Sequence, residues 1–290
     1  MFTRAIVRMP GPNFAEGLTT AALGQPDYQL TLQQHEAYCA ALERCGLSLI
    51  RLEPDPDYPD STFVEDVAVL VGSLPNGRAT APSAAILTRP GAASRAGEVK
   101  SMRKPLAGFF AQVSEIESPG TLDGGDICQA GEHFFIGISE RTNRAGASQL
   151  AAFLGQLGYT SSFVAIGIDD EEKAVHKAAT TGSLMKSVPG AVATGLLHLK
   201  SGVAYLGDNR VLLVESLAIR KEFAGYDLVL VDEAESYAAN CIVVNNHVLI
   251  ADGHPHIAAK LRELGYRTIA LDMSEFQKMD GGLSCLSLRF

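Results

Sequence analysis

Apolar residues along this chain come in short runs, each closed by glycine, proline or a cluster of acids, and a strand-like period alternates with a helix-like one. Residues 3–8 alternate as a strand, and Pro10-Gly11-Pro12 stops it. Residues 13–24 read as a loop with a short helix. A helix follows over 30–45, where Leu30, Leu32, Tyr38, Ala41 and Leu42 form an apolar stripe and Gly46 is the stop signal. Leu47 to Leu52 reads as a strand, and the Pro/Asp-rich segment 54–60 as a loop. Phe63 to Leu70 then reads as a strand with two adjacent acids, Glu65 and Asp66, inside it. Neighbouring strand residues face opposite sides, so at most one of the pair meets a given surface. Buried acids also need a cation or hydrogen-bond donors. Ile86-Leu87-Thr88-Arg89 is a further short strand, ended by Pro90-Gly91.

The same grammar recurs. Leu154-Gly155-Gln156-Leu157-Gly158-Tyr159 resembles Leu261-Arg262-Glu263-Leu264-Gly265-Tyr266, and both resemble Leu42-Glu43-Arg44-Cys45-Gly46-Leu47. Apolar hairpins are expected at 63–71 with 84–89, at 124–138, 196–214 and 237–251, and at 281–290. The last would pair with the strand at 3–8. Five such units predict an α/β chain of repeats closed into a ring, with the C-terminal strand completing it. Residues 168–193 fit no unit and read as an insertion of helix plus loop, serving as a lid or an oligomer contact; a solvated surface insertion explains them as well.

Composition narrows the setting. With 47% hydrophobic and 20% charged residues in 290, the chain reads as an ordinary soluble globular protein. No apolar run approaches the roughly 20 residues a membrane span requires, and the N-terminal segment lacks an apolar signal region. Five scattered cysteines without a CxxC pair argue against a disulfide framework or a zinc site and for a reducing, cytoplasmic setting. A net charge of −9 without a basic stripe excludes nucleic acid as the expected partner. That charge admits a cationic small molecule, although solubility alone explains it equally well.

Candidate chemistry falls at the start of each hairpin. The units offer in turn Asp60, Glu65 and Asp66; Asp123 and Asp126; His198; Asn240-Cys241; and Cys285, just inside the C-terminal strand beside Ser284. If the ring closes, a thiol, an imidazole and several carboxylates converge on one cavity, which is a set suited to nucleophilic catalysis. Taken singly, each has a plainer explanation: Cys285 a small hydrophobe, His198 a core histidine, Gly124-Gly125-Asp126 a turn, Arg89 and Arg141 surface arginines. Together they suit a guanidinium, which pairs with carboxylates through parallel hydrogen bonds. Its carbon, once clamped, is open to a thiolate, and a neighbouring cation favours that thiolate. His198 would protonate the departing amine and then activate water, and Arg89 and Arg141 could hold an amino-acid carboxylate. Cys39, Cys45, Cys128 and Cys241 are assigned to packing, and His254 and His256 are given no role.

Several stretches resemble the dimethylarginine dimethylaminohydrolases of the pentein (guanidino-group-modifying) superfamily, over nearly the whole chain. They are Asp60-Ser61-Thr62-Phe63-Val64-Glu65-Asp66, Thr88-Arg89-Pro90-Gly91-Ala92, Leu122-Asp123-Gly124-Gly125-Asp126, Arg141-Thr142-Asn143, His198-Leu199-Lys200, Tyr237-Ala238-Ala239-Asn240-Cys241 and Asp280-Gly281-Gly282-Leu283-Ser284-Cys285. The resemblance implies a five-bladed α/β propeller formed by one catalytic domain over 1–290. It also implies hydrolysis of Nω-methylated arginines to citrulline and a methylamine, with no metal or other cofactor. By the same resemblance Cys285 is the nucleophile, His198 the general acid/base and Asp123 the carboxylate that orients it. Asp60, Glu65 and Asp66 would take the guanidinium and α-amino ends, and Arg89 and Arg141 the carboxylate. Leu18 would sit in a lid loop, and the Met279 carbonyl would contact substrate. Asp126 and Ser284 are secondary candidates. Asp123 stands where bacterial relatives carry the longer Glu, and the 168–193 insertion directly precedes His198; both bear on the preferred substrate. Arginine deimination, citrulline hydrolysis and amidino transfer remain alternative chemistries, and a silent amino-acid-binding protein is the alternative of a different class. A symmetric homodimer is the default assembly.

Overall fold

The computed structural model describes residues 1–72, 84–166 and 195–290. The predicted insertion at 168–193 lies outside the described residues. The chain begins with β1 (Arg4–Arg8), helix α1 (Tyr28–Arg44) and β2 (Ser48–Leu52), with β1 and β2 paired in parallel. Asp27 caps α1 by accepting the Leu30 N–H at 2.9 Å, satisfying one of the free donors of its first turn. Next come β3 (Ala68–Val71), β4 (Ala84–Leu87), α2 (Val99–Ala107) and β5 (Gln112–Glu115). The third unit is β6 (Ile127–Ala130), β7 (His133–Ile138), α3 (Arg144–Gln156) and β8 (Thr160–Ala165). The fourth is β9 (Val203–Gly207), β10 (Arg210–Val214), the short α4 (Glu215–Ala218) and β11 (Asp227–Val231). The fifth is β12 (Ile242–Val244), β13 (His247–Ala251), α5 (Pro255–Glu263) and β14 (Arg267–Leu271). After α6 (Ser274–Gln277), β15 (Leu288–Arg289) pairs antiparallel with β1 through Ala5 opposite Arg289 and Ile6 opposite Leu288.

All five three-stranded sheets follow one rule: the middle strand pairs antiparallel with the first and parallel with the third. They are the blades of a five-bladed α/β propeller, and the last chain segment supplies the first strand of the first blade. The carbonyl of Phe290 accepts the N–H groups of Thr3 and Arg4 at 2.9 and 2.8 Å, so both termini are tied into that blade.

The repeated Cys-Gly and Leu-Gly stops have one physical cause. Gly46, Gly158 and Gly265 take φ of +94°, +86° and +92°, a left-handed conformation that suits glycine. The residue after each glycine then donates back to the helix: Leu47 to the Leu42 carbonyl (3.2 Å), Tyr159 to Leu154 (2.9 Å) and Tyr266 to Leu261 (3.0 Å). These bonds close the helix ends and turn the chain into the outer strand.

Three expectations about local structure are corrected. Glu65 and Asp66 lie in a 3-10 turn, Val64–Val67, with the strand starting only at Ala68. His198 precedes another, Leu199–Ser201, and Cys285 sits within a third, Ser284–Leu286, leaving only two residues of C-terminal strand. Val64, Val67, Leu199 and Leu286 are all buried, so tight turns packed inside the ring read as apolar strand.

Candidate active site

Every blade is entered through such a turn, and the turns are bonded to one another. Asp66 Oδ1 accepts the Gly125 N–H at 2.9 Å, and Asp126 Oδ1 accepts that of Leu199 at 2.9 Å. Asn240 donates from Nδ2 to the Lys200 carbonyl (3.0 Å) and accepts the Ser284 N–H on Oδ1 (2.8 Å). The Ser284 hydroxyl donates to Glu65 Oε2 at 2.7 Å, returning to the first turn. Each of the five junctions is thus carried by a side chain reaching into the adjacent turn. Such bonds between buried groups fix relative positions at low cost in unsatisfied polar atoms.

The ring encloses a cavity of about 380 Å³ lined by Leu18, Asp60, Phe63, Asp66, Arg95 and Asp123 on one part, and by Arg141, Leu197, His198, Met279, Asp280, Gly281 and Cys285 on the rest. Eight of the expected residues meet there: Leu18, Asp60, Asp66, Asp123, Arg141, His198, Met279 and Cys285. Four do not line it. Glu65 is buried with Lys200 on Oε1 and Ser284 on Oε2. Asp126 holds the Ser139 hydroxyl and the Leu199 amide, and Ser284 is spent between Asn240 and Glu65. Arg89 is exposed, and its side chain donates to the Gly120 carbonyl at 3.1 Å.

At the reactive end, His198 Nε2 lies 3.1 Å from Asp123 Oδ2, and Asp123 Oδ1 accepts the Gly91 N–H at 2.8 Å. The shorter aspartate therefore reaches the imidazole directly. Burial lowers the proton affinity of His198, but the charge of Asp66, the hydrogen bond that the imidazole donates to Asp123 and the charge of Asp126 outweigh it, giving a pKa of about 9. Burial raises the Asp66 carboxyl, yet His198 and Arg95 together hold it below the ordinary carboxylate range. For Asp126, burial outweighs the charge of His198 and the hydrogen bonds from Thr142 and Ser139, and pushes the carboxyl up to about 6. Cys285 keeps part of its surface open to the cavity. Burial, then the carboxylates of Glu65 and Asp66, push its thiol up to about 12. The cavity at rest therefore holds a neutral thiol beside a cationic imidazole.

Asp66, Asp123 and His198 bring donor atoms within 4.8 Å of one another, a spacing that metal ligands also use. Arg95 and Gly125 already take Asp66, Gly91 takes Asp123, and the imidazole pairs with the carboxylates, so the donors satisfy one another as an ion-pair network.

At the other end, Leu18 donates its N–H to both oxygens of Asp60 at 3.1 Å. Thr20 is held by Asp280 through its N–H at 2.5 Å and its hydroxyl at 2.9 Å. These two acids, both of which line the cavity, tie the 17–20 segment to its wall. Phe63 forms an edge-to-face triangle with Phe14 and Phe276, centroids 5.6 to 6.3 Å apart, which fixes the apolar wall. Sequence reasoning missed Arg95, Glu98, Lys200, Leu197 and Asp280. The spacing Arg95-x-x-Glu98 was the available signal for one pair, and Lys200 stood within a quoted motif without a role.

A thiol and a carboxylate-braced imidazole in a five-bladed α/β propeller define a cysteine-dependent enzyme of the guanidino-group-modifying class. Comparison with known proteins narrows the class. The chain is 40% identical, over the full length of both, to an N(G),N(G)-dimethylarginine dimethylaminohydrolase of Pseudomonas aeruginosa. It is 32% identical to one of Streptomyces coelicolor, over 99% of this chain and 96% of that one. The fold matches a Pseudomonas aeruginosa dimethylarginine dimethylaminohydrolase mutant in complex with citrulline, with a TM-score of 0.83, 40% identity and full coverage of both chains. It also matches the N-terminal domain of the arginine dihydrolase ArgZ, with a TM-score of 0.77 at 16% identity, covering 99% of this chain and 97% of that one, a likeness of fold alone. The arginine deiminase family model matches residues 106–181. The chain belongs to the dimethylarginine dimethylaminohydrolase family.

Proposed function

We propose that residues 1–290 form one catalytic domain that hydrolyses Nω-methylated L-arginines, asymmetric dimethylarginine and monomethylarginine, to L-citrulline and dimethylamine or methylamine. The observation that carries the reading is the meeting of Cys285 and the Asp123-braced His198 in a cavity walled by Asp60, Asp66 and Arg141. The guanidinium lies against Asp66 and Asp123, Asp60 takes the α-ammonium under Leu18, and Arg141 takes the carboxylate.

The resting thiol is neutral, and a bound guanidinium replaces the proton as the counter-charge, so substrate binding releases that proton to solvent and leaves the thiolate. Sγ attacks the guanidinium carbon and forms the C–S bond. His198, cationic at neutral pH, gives its proton to the substituted nitrogen as the C–N bond breaks, and the amine departs. The product on Cys285 is a cationic S-alkylthiouronium, held by the carboxylates that bound the substrate. Neutral His198 then takes a proton from water while the hydroxide adds to the same carbon. The C–S bond breaks, the carbonyl of citrulline forms with loss of its hydroxyl proton, and the thiol recovers a proton from solvent. The role of Asp123 is to hold the imidazole in place and to favour its charged form.

The test is citrulline release from asymmetric dimethylarginine, monomethylarginine and arginine side by side, with Cys285→Ser as control. Release from the methylated substrates, abolished by the serine, is the expected result. Release from arginine alone would replace the reading with deimination, and a fully active serine variant would exclude the covalent route.

A further inference from the structure

The two adjacent acids of the Val64–Val67 turn are each provided with a cation of the protein's own. Glu65 has Lys200, and Asp66 has Arg95. The second pairing is the consequential one, because Asp66 and Arg95 both line the cavity. Arg95 is almost fully buried and uses its guanidinium in every direction. Nη1 donates to Asp66 Oδ2 at 2.5 Å, while Nε and Nη2 fork onto the two Glu98 oxygens at 3.0 and 2.8 Å. Nη2 also donates to the carbonyls of Phe63 at 3.1 Å and Asp60 at 3.3 Å, tying down the segment that carries both Asp60 and Asp66. The other oxygen of Asp66 is taken by the Gly125 N–H. A carboxylate offers about four lone-pair directions, so each Asp66 oxygen keeps one after these bonds.

We propose that Arg95 is a positioning residue of the guanidinium subsite: braced by Glu98, it fixes Asp66 so that the remaining lone pairs serve the incoming cation. The inference rests on the functional reading above and deepens it. Among the described residues the other cation acting on Asp66 is His198, which gives up its proton during turnover. Arg95 keeps a fixed positive charge on Asp66 through that interval, which covers the life of the cationic adduct. A lysine could not substitute, since one ammonium cannot fork onto Glu98 while reaching Asp66 and two carbonyls.

The discriminating measurement is calorimetric binding of arginine and of citrulline, the cationic and neutral side chains of nearly equal shape, to Cys285→Ser protein with and without Arg95→Lys. Hydrogen bonds to charged groups are the stronger class. Loss of a well-set Asp66 should therefore weaken arginine at least about tenfold and citrulline by less than about threefold. In turnover by the otherwise native enzyme, Arg95→Lys should raise KM for dimethylarginine more than it lowers kcat. Parallel weakening of both ligands, or no change in either, would overturn the proposal while leaving the functional reading intact. A parent that binds neither ligand overturns the functional reading and the proposal with it. Should Arg95→Lys fail to fold, Glu98→Gln decides by the same comparison. It keeps the shape and removes the brace, and is expected to weaken arginine several-fold with citrulline unchanged; equal effects on both ligands again overturn the proposal.

Discussion

Replacing Gly125 by alanine tests the site's geometry at one added carbon. The backbone of Gly125 is not in the left-handed region, so alanine meets no conformational barrier there. Its Cβ, however, would lie 2.8 Å from Asp66 Oδ1 and 2.9 Å from both Cγ and Nδ1 of His198. Ordinary contact between such atoms is about 3.5 Å or more, so the imidazole and carboxylate must give by roughly 0.6 Å. Asp66 cannot retreat freely, because Arg95 holds its other oxygen, and His198 cannot without lengthening its 3.1 Å contact to Asp123. Misplacing a reacting group by about 1 Å costs on the order of a hundredfold in rate. The expected loss in kcat for citrulline release is therefore about 10- to 50-fold, or roughly 1.4 to 2.3 kcal/mol of barrier. Overpacking of this kind costs about 1–3 kcal/mol of stability, which urea denaturation would read separately. Gly155→Ala in α3 is the control: its Cβ meets nothing within 4 Å, so it should gain up to about 1 kcal/mol and leave kcat alone. A Gly125→Ala enzyme within twofold of the parent would refute the contact reasoning.

Three further outcomes are expected. With the Cys285 thiol pushed up to about 12 by burial and by Glu65 and Asp66, its alkylation by iodoacetamide in the free protein should go on accelerating above pH 9; a plateau below pH 9 would contradict that environment. His198→Gly removes both proton donor and water activator; a leaving group that departs as a thiolate does not need the first, but hydrolysis of the adduct still needs the second. S-methyl-thiocitrulline should therefore leave a mass-detectable adduct on Cys285, and its absence would reject the assigned role. Asp126 has a folded pKa of about 6, raised above its unfolded value. The folded state thus binds more protons, and the stability this group contributes falls as pH rises from about 4 to 6. The gain in unfolding free energy of Asp126→Asn over the parent should climb from near zero below pH 4 to about 3 kcal/mol above pH 6, and a pH-independent difference would refute it.

The ring was legible from sequence because its signals are local and repeated. Apolar strands, the glycine stops at Gly46, Gly158 and Gly265, and an apolar tail able to pair with residues 3–8 each follow from rules that act within a few residues. The turns were not legible. Val64-Glu65-Asp66-Val67 sits inside an otherwise apolar run, and a tight turn packed inside a ring leaves the same apolar signal as a short buried strand. The counter-charges were hidden for a different reason. Asp66 and Arg95 are 29 residues apart, and Glu65 and Lys200 are 135 apart. Such pairs exist only once the blades are closed. Glu65 is the instructive case. The resemblance places it with Asp60 and Asp66 among the substrate-binding acids, yet in a tight turn the side chains of Glu65 and Asp66 diverge, one to Lys200 and Ser284 and the other to the cavity.

That divergence explains how five equivalent turns can carry unlike chemistry. The bonds from turn to turn use Asp66, Asp126, Asn240, Ser284 and the Lys200 carbonyl, at 2.7 to 3.0 Å. The groups proposed to carry the chemistry, His198 and Cys285 with Asp123 bracing the imidazole, lie within three residues of those bonding residues and take no part in the junctions themselves. Asp66 lines the cavity and also carries a junction, and its two oxygens are fixed by different parts of the ring, one by Arg95 and one by the Gly125 amide. A residue that must hold the ring together and also receive the substrate's charge cannot be left free to turn. The buried Arg95–Glu98 pair satisfies that requirement without adding net charge to the cavity.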